Sequence, residues 1–192
     1  MKKLGFACLV LFMSFSLEAL AQDEIPAHIK DHITYPVLDF HPFVGVMPIQ
    51  DPALMYDSTL EYKVVLDLYG RIRDTTAIHQ TFLEVARTYN LGIATGVPSE
   101  KLHIAAVIHG GLVQAILNDE KYQEKFGKSN PNLEALQKLK EVGVEFYVCG
   151  QSMGFMNIKE EDISDLVHPA ISAKFSFVSL DQQGYTYLNI SN

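Results

Sequence analysis

The chain has 192 residues, a length that suits one domain with a substantial core. Its 15 Lys and Arg against 23 Asp and Glu give a formal charge of −8, which argues against nucleic acid and anionic membrane surfaces as partners. With two cysteines in all, Cys8 and Cys149, a disulfide-stapled scaffold is not expected.

Residues 1–21 read as a secretory signal peptide. Lys2 and Lys3 form a basic start, an apolar stretch follows from Leu4 to about Leu17, and Ala19-Leu20-Ala21 supplies a small-x-small cleavage site before Gln22. The stretch falls short of the roughly 20 apolar residues that a membrane span needs, and no later segment is long and apolar enough to span. Cleavage would remove Cys8 and leave an exported chain, periplasmic or secreted, with Cys149 as its sole thiol. An odd thiol in an oxidising compartment points to intermolecular pairing or a reactive group.

Residues 22–57 form an arm punctuated by Pro26, Pro36, Pro42, Pro48 and Pro52, each of which interrupts a helix or an interior strand. Ile33, Val37, Leu38, Phe40, Val44 and Val46 make it too apolar for a solvated tail. It is expected to lie across the domain or a neighbouring subunit.

Over residues 58–192 strand and helix signals alternate. Tyr62 to Tyr69 is a mostly apolar strand. Asp74 is placed to cap a helix carrying Ile78, Phe82, Val85, Ala86 and Tyr89, with Asn90 and Gly92 at its end. Leu102 to Ile108 is a second buried strand, followed by His109-Gly110-Gly111. A short helix over Leu112 to Leu117 and one capped by Asn118 and ended by Gly127 come next. Asn130-Pro131 reads as a helix start, cap then first position, with Leu133, Leu136, Leu139 and Val142 on one face. Val144 to Val148 is the third strand. A short acidic helix lies within Lys159 to Asp165, a short strand at Pro169 to Ile171, a helix over Ala173 to Leu180, and a last strand over Tyr185 to Ile190. The pattern predicts an α/β domain in three layers, a mostly parallel sheet of about five strands flanked by helices.

In such sheets ligands bind beyond the carboxyl ends of the strands. Two side chains with chemistry fall there: His109 after the second strand and Cys149 after the third. The glycines that follow allow sharp turns, and Gln151 and Ser152 can hydrogen-bond a sulfur anion. Gly110, Gly111, Gly150, Gln151, Ser152 and Met153 are therefore the expected pocket, with Met153 as a soft apolar wall. A helix after Cys149 would favour the thiolate, the reactive form. The same cysteine also fits simple core packing. A Cys–His nucleophile pair requires His109 within hydrogen-bond reach. No zinc spacing, nucleotide loop, G-x-S-x-G elbow or C-x-x-C appears, and no organic cofactor is expected.

Four motifs in order, Leu102 to Gly111 (LHIAAVIHGG), Asn130-Pro131-Asn132-Leu133, Val148-Cys149-Gly150-Gln151-Ser152 and Leu180 to Tyr185 (LDQQGY), resemble those of the DsrE/DsrF-like proteins. The resemblance runs from about Tyr62 to the C-terminus. It implies a compact α/β domain that assembles into homotrimers or homohexamers. It further implies sulfur trafficking, in which Cys149 carries a persulfide between a sulfur donor and an acceptor protein. The histidine of the family's V-x-H-G run corresponds to His109. The chain is similar to an exported branch with a C-G-Q-S motif; the best-understood carriers are cytoplasmic and follow their cysteine with small residues and arginine.

Overall fold

The computed structural model describes residues 25–190, so the expected signal peptide lies outside the described residues. Five strands, β1 (Tyr62–Arg71), β2 (Leu102–Gly111), β3 (Glu145–Cys149), β4 (His168–Ala170) and β5 (Thr186–Asn189), form one sheet in the order β4-β3-β2-β1-β5. Every pairing is parallel. The helices are α1 (Gln80–Ala94), α2 (Asp119–Phe126), α3 (Leu133–Glu141), α4 (Gly150–Phe155) and α5 (Ala173–Gln182). No helix among the described residues is long and apolar enough to cross a membrane.

Handedness explains how the helices are distributed. From β1 to β4 the chain steps in one direction across the sheet, and right-handed crossovers put the intervening helices on one face. The return from β4 to β5 runs the other way, which puts α5 on the opposite face. Strand residues alternate between the two faces. Leu66, Leu68, Ala106, Ile108, Phe146 and Val148 pack with Phe82, Val85, Ala86, Leu136 and Leu139 in the main core. Val65, Ala105, Val107 and Cys149 face the other way, against Ala173 and Leu180 of α5. Each large side chain so buried contributes about 1.5–3 kcal/mol.

The arm packs on the main core through Leu38 and Val44, both fully or nearly buried. Asn90 fastens it. Its Oδ1 accepts from Leu38 N–H at 3.0 Å, and its Nδ2 donates to Leu38 C=O at 2.7 Å and Val44 C=O at 2.8 Å. A two-way bridge between Thr34 and Val46 closes the arm on itself.

Several local expectations are corrected. The cap of α1 is His79, whose Nδ1 accepts from Thr81 N–H; Asp74 instead closes a turn onto Thr76. α1 runs on to Ala94, because Asn90 spends its polar groups on the arm and not on ending the helix. Helix α3 begins at Leu133, not at Asn130-Pro131. Asn130 is buried, and its Nδ2 donates to the carbonyls of Ala115 and Leu117, which pins the loop before the helix. Leu112–Ile116 and Glu160–Asp162 are 3-10 turns.

Candidate functional site

Register and alternation bring the chemistry together. On β1, β2 and β3 the residues that face α5 include Asp67, His109 and Cys149. His109 pairs with Tyr69, and Cys149 stands one position beyond the last β2–β3 pair, Ile108 with Val148. His109 was expected after the second strand. It lies within β2 instead, because pairing with β1 continues through Gly110 and Gly111.

Cys149 ends β3 and is 6 % exposed, packed beside Ala173 and Leu180. Burial, the largest influence on the thiol, pushes its pKa up. Hydrogen bonding from the Ser152 hydroxyl and from the backbone N–H groups of Ala173, Ser152 and Gln151 outweighs it, so the thiol ionises below its ordinary value of 9.0. Ser152 is set for its part: its Oγ accepts from Gly110 N–H at 3.0 Å, which leaves its own hydrogen for the sulfur.

The other expected pocket residues take distinct places. Gly110 holds φ +65°, and a Cβ there would fall 2.5 Å from the Tyr69 ring. Gly150 lets α4 start against β4, where a Cβ would stand 2.9 Å from Ala170 C=O. Gly111 closes β2 against Gly70 and Arg71 of β1. Gln151 is exposed and donates from Nε2 to Ile171 C=O at 3.1 Å. Met153 packs on the opposite side of the sheet from the sulfur. The β3-to-β4 crossover puts α4 on the main-core face, where Met153 is buried, while Cys149 faces α5.

No hydrogen bond joins Cys149 to His109. The histidine is engaged elsewhere: its Nε2 lies 2.7 Å from Oδ1 of Asp67, which is 8 % exposed, and the Tyr187 hydroxyl donates a short hydrogen bond to Oδ2 of the same carboxylate. That bond raises the Tyr187 phenol pKa, which keeps it a donor. Tyr69 and Phe177 flank the imidazole, with ring centroids at 5.0 and 6.2 Å. Asp67 and Tyr187 went unnoticed in the sequence. The available signal was a carboxylate in the middle of the apolar run VVLDLY, since a buried charge needs partners.

A groove of about 640 Å³ lies next to the cysteine, lined by Tyr147, Ile171, Phe175 and Leu180 among others. None of the six glycine, polar or methionine positions expected to form the pocket lines it. Tyr147 and Leu180 belong both to its wall and to the cluster around Cys149.

No curated protein matches the chain. Among solved structures it is similar to a protein of unknown function, MTH1491 from Methanobacterium thermoautotrophicum. The two share 19 % identity with a TM-score of 0.49, over 67 % of this chain and 98 % of that one. The DsrE/DsrF-like family model matches residues 63–190, from the start of β1 to just past the end of β5. Since that match spans more than half of the chain, the protein belongs to the DsrE/DsrF-like family.

Proposed function

We propose that this protein is an exported sulfur handler in which Cys149 takes up a sulfane sulfur as a persulfide and passes it on. The Cys149 thiolate attacks the outer sulfur of a low-molecular-weight or protein persulfide, R–S–SH. A new S–S bond forms on Cys149, the donor's S–S bond breaks, and its electron pair leaves on R–S⁻. No oxidant is consumed. Family membership supports a sulfur-relay role. The observation that carries the reading is the ionisation of Cys149, favoured by Ser152 and the surrounding N–H groups against the pull of burial. Export rests on the leader-like residues 1–21. Self-association into trimers or hexamers belongs to the same reading, supported by the exposed apolar side chains Ile171, Phe175 and Val178.

The test uses the full chain with Cys8→Ser, so that Cys149 is its sole thiol. Incubation with glutathione persulfide should add one sulfur atom, located by peptide mass spectrometry on Cys149. Uptake at the same stoichiometry by a Cys149→Ser variant would overturn the assignment. The adjoining groove favours a second reading, a small-ligand or protein-binding module in which Cys149 only packs. A folded-state thiol inert to alkylation would favour that alternative.

A further inference from the structure

We propose that Asp67 and Tyr187 position His109 as the base that takes a proton from an incoming thiol, so that the acceptor served by Cys149 is a protonated thiol and not an already ionised nucleophile. The inference rests on the persulfide reading of Cys149. Asp67 is a buried carboxylate in the middle of β1, and such a group is costly unless both oxygens are satisfied. Neighbouring strands on either side satisfy it, His109 from β2 on Oδ1 and Tyr187 from β5 on Oδ2. The two meet it beside the point where the strand order reverses, between β1 and β5, the place where open α/β sheets bind ligands.

This arrangement selects one tautomer. With the Nε2 hydrogen directed at the carboxylate, the neutral ring presents its lone pair at Nδ1. Nδ1 makes no hydrogen bond among the described residues. The flanking rings of Tyr69 and Phe177 hold the imidazole in place, and its side chain remains 23 % exposed. The carboxylate also stabilises the imidazolium that forms when Nδ1 takes a proton. A base so oriented adds nothing for a nucleophile that arrives ionised. It matters for one that arrives as R–SH.

The step balances without oxidant or reductant. R–SH gives its proton to Nδ1 as its sulfur attacks the outer sulfur of Cys149–S–SH. The S–S bond breaks, the electron pair stays on Cys149 Sγ, and R–S–SH departs. The imidazolium then returns the proton to the Cys149 thiolate or to water.

The experiment compares two acceptors in single turnovers, at about pH 8, from the full chain with Cys8→Ser and one sulfur loaded on Cys149. N-acetylcysteine is mostly protonated there, whereas sulfite is largely ionised. Asp67→Asn should slow delivery to the thiol at least about tenfold and leave delivery to sulfite unchanged. Tyr187→Phe, which removes one hydroxyl and keeps the ring, should act in the same direction by less. Nitrogen-resolved NMR of His109 should show the Nε2–H tautomer in the unaltered protein and its loss in Asp67→Asn. Equal slowing toward both acceptors, or none toward either, would overturn the inference, as would an Nδ1–H ring. Failure of the unaltered protein to load sulfur would instead refute the persulfide reading, and the tautomer would still test the positioning of His109.

Discussion

Replacing Ser152 by Ala tests the environment of Cys149 through two separable effects. The hydroxyl has two roles, accepting from Gly110 N–H at 3.0 Å and donating to the Cys149 sulfur. The first loss strands a half-buried N–H that water can partly reach, which costs about 1 kcal/mol at any pH. The second depends on pH. Cys149 ionises below its ordinary 9.0 in the folded protein, so its contribution to stability is fully present above that value and is lost as pH falls through the folded value. Without Ser152 the largest influence, burial, is opposed only by backbone N–H groups, and the thiol pKa rises. The stability gap between Ser152→Ala and the parent should therefore be small near pH 7 and widen toward about pH 9.5. Urea midpoints at both pH values measure the gap, and the pH dependence of alkylation by iodoacetamide reports the ionisation directly. A constant gap together with an unmoved alkylation midpoint would refute the role given to Ser152.

Two further outcomes follow from other parts of the fold. Asn90→Ala leaves Leu38 N–H, Leu38 C=O and Val44 C=O without partners inside the protein, so urea unfolding should show a loss of about 3–5 kcal/mol and trypsin or chymotrypsin should cut the arm first; a loss under about 1 kcal/mol would mean that the arm is held mainly by Leu38 and Val44 packing. Burial, with a smaller push from Arg73, lowers the His79 pKa below 6.5 against the opposing bond to Arg71 C=O. The unfolded chain then binds more protons on the acid side, and stability falls as pH drops below 6.5. His79→Asn keeps a capping side chain without the titration, so its melting temperature should fall less between about pH 7 and pH 5 than that of the parent; parallel declines would show that other groups govern the acid limb.

Much of the domain is legible in the residue pattern because it is encoded locally. Apolar runs mark all five strands to within a few residues, and Asn118, Gly127 and Gly184 stand where their helices begin and end. Errors came where a polar side chain has two possible partners. Asn90 and Asn130 each have the chemistry of a helix boundary, yet each binds chain far away in sequence or holds a loop, and nothing local decides between these uses. Met153 was misplaced for a related reason: one turn beyond Cys149, its direction depends on which face the crossover takes.

By itself the sequence determined that Cys149 would stand at the end of a buried parallel strand, just before a glycine turn. Periodicity and glycine placement act over a few residues and are visible in any single stretch. Only the tertiary structure decided that Asp67, His109 and Tyr187 share a face with that thiol and that Ser152 bridges Gly110 to it. Those meetings depend on strand order and register, which bring together side chains 42 and 120 positions apart through the handedness of crossovers that no local run of residues records.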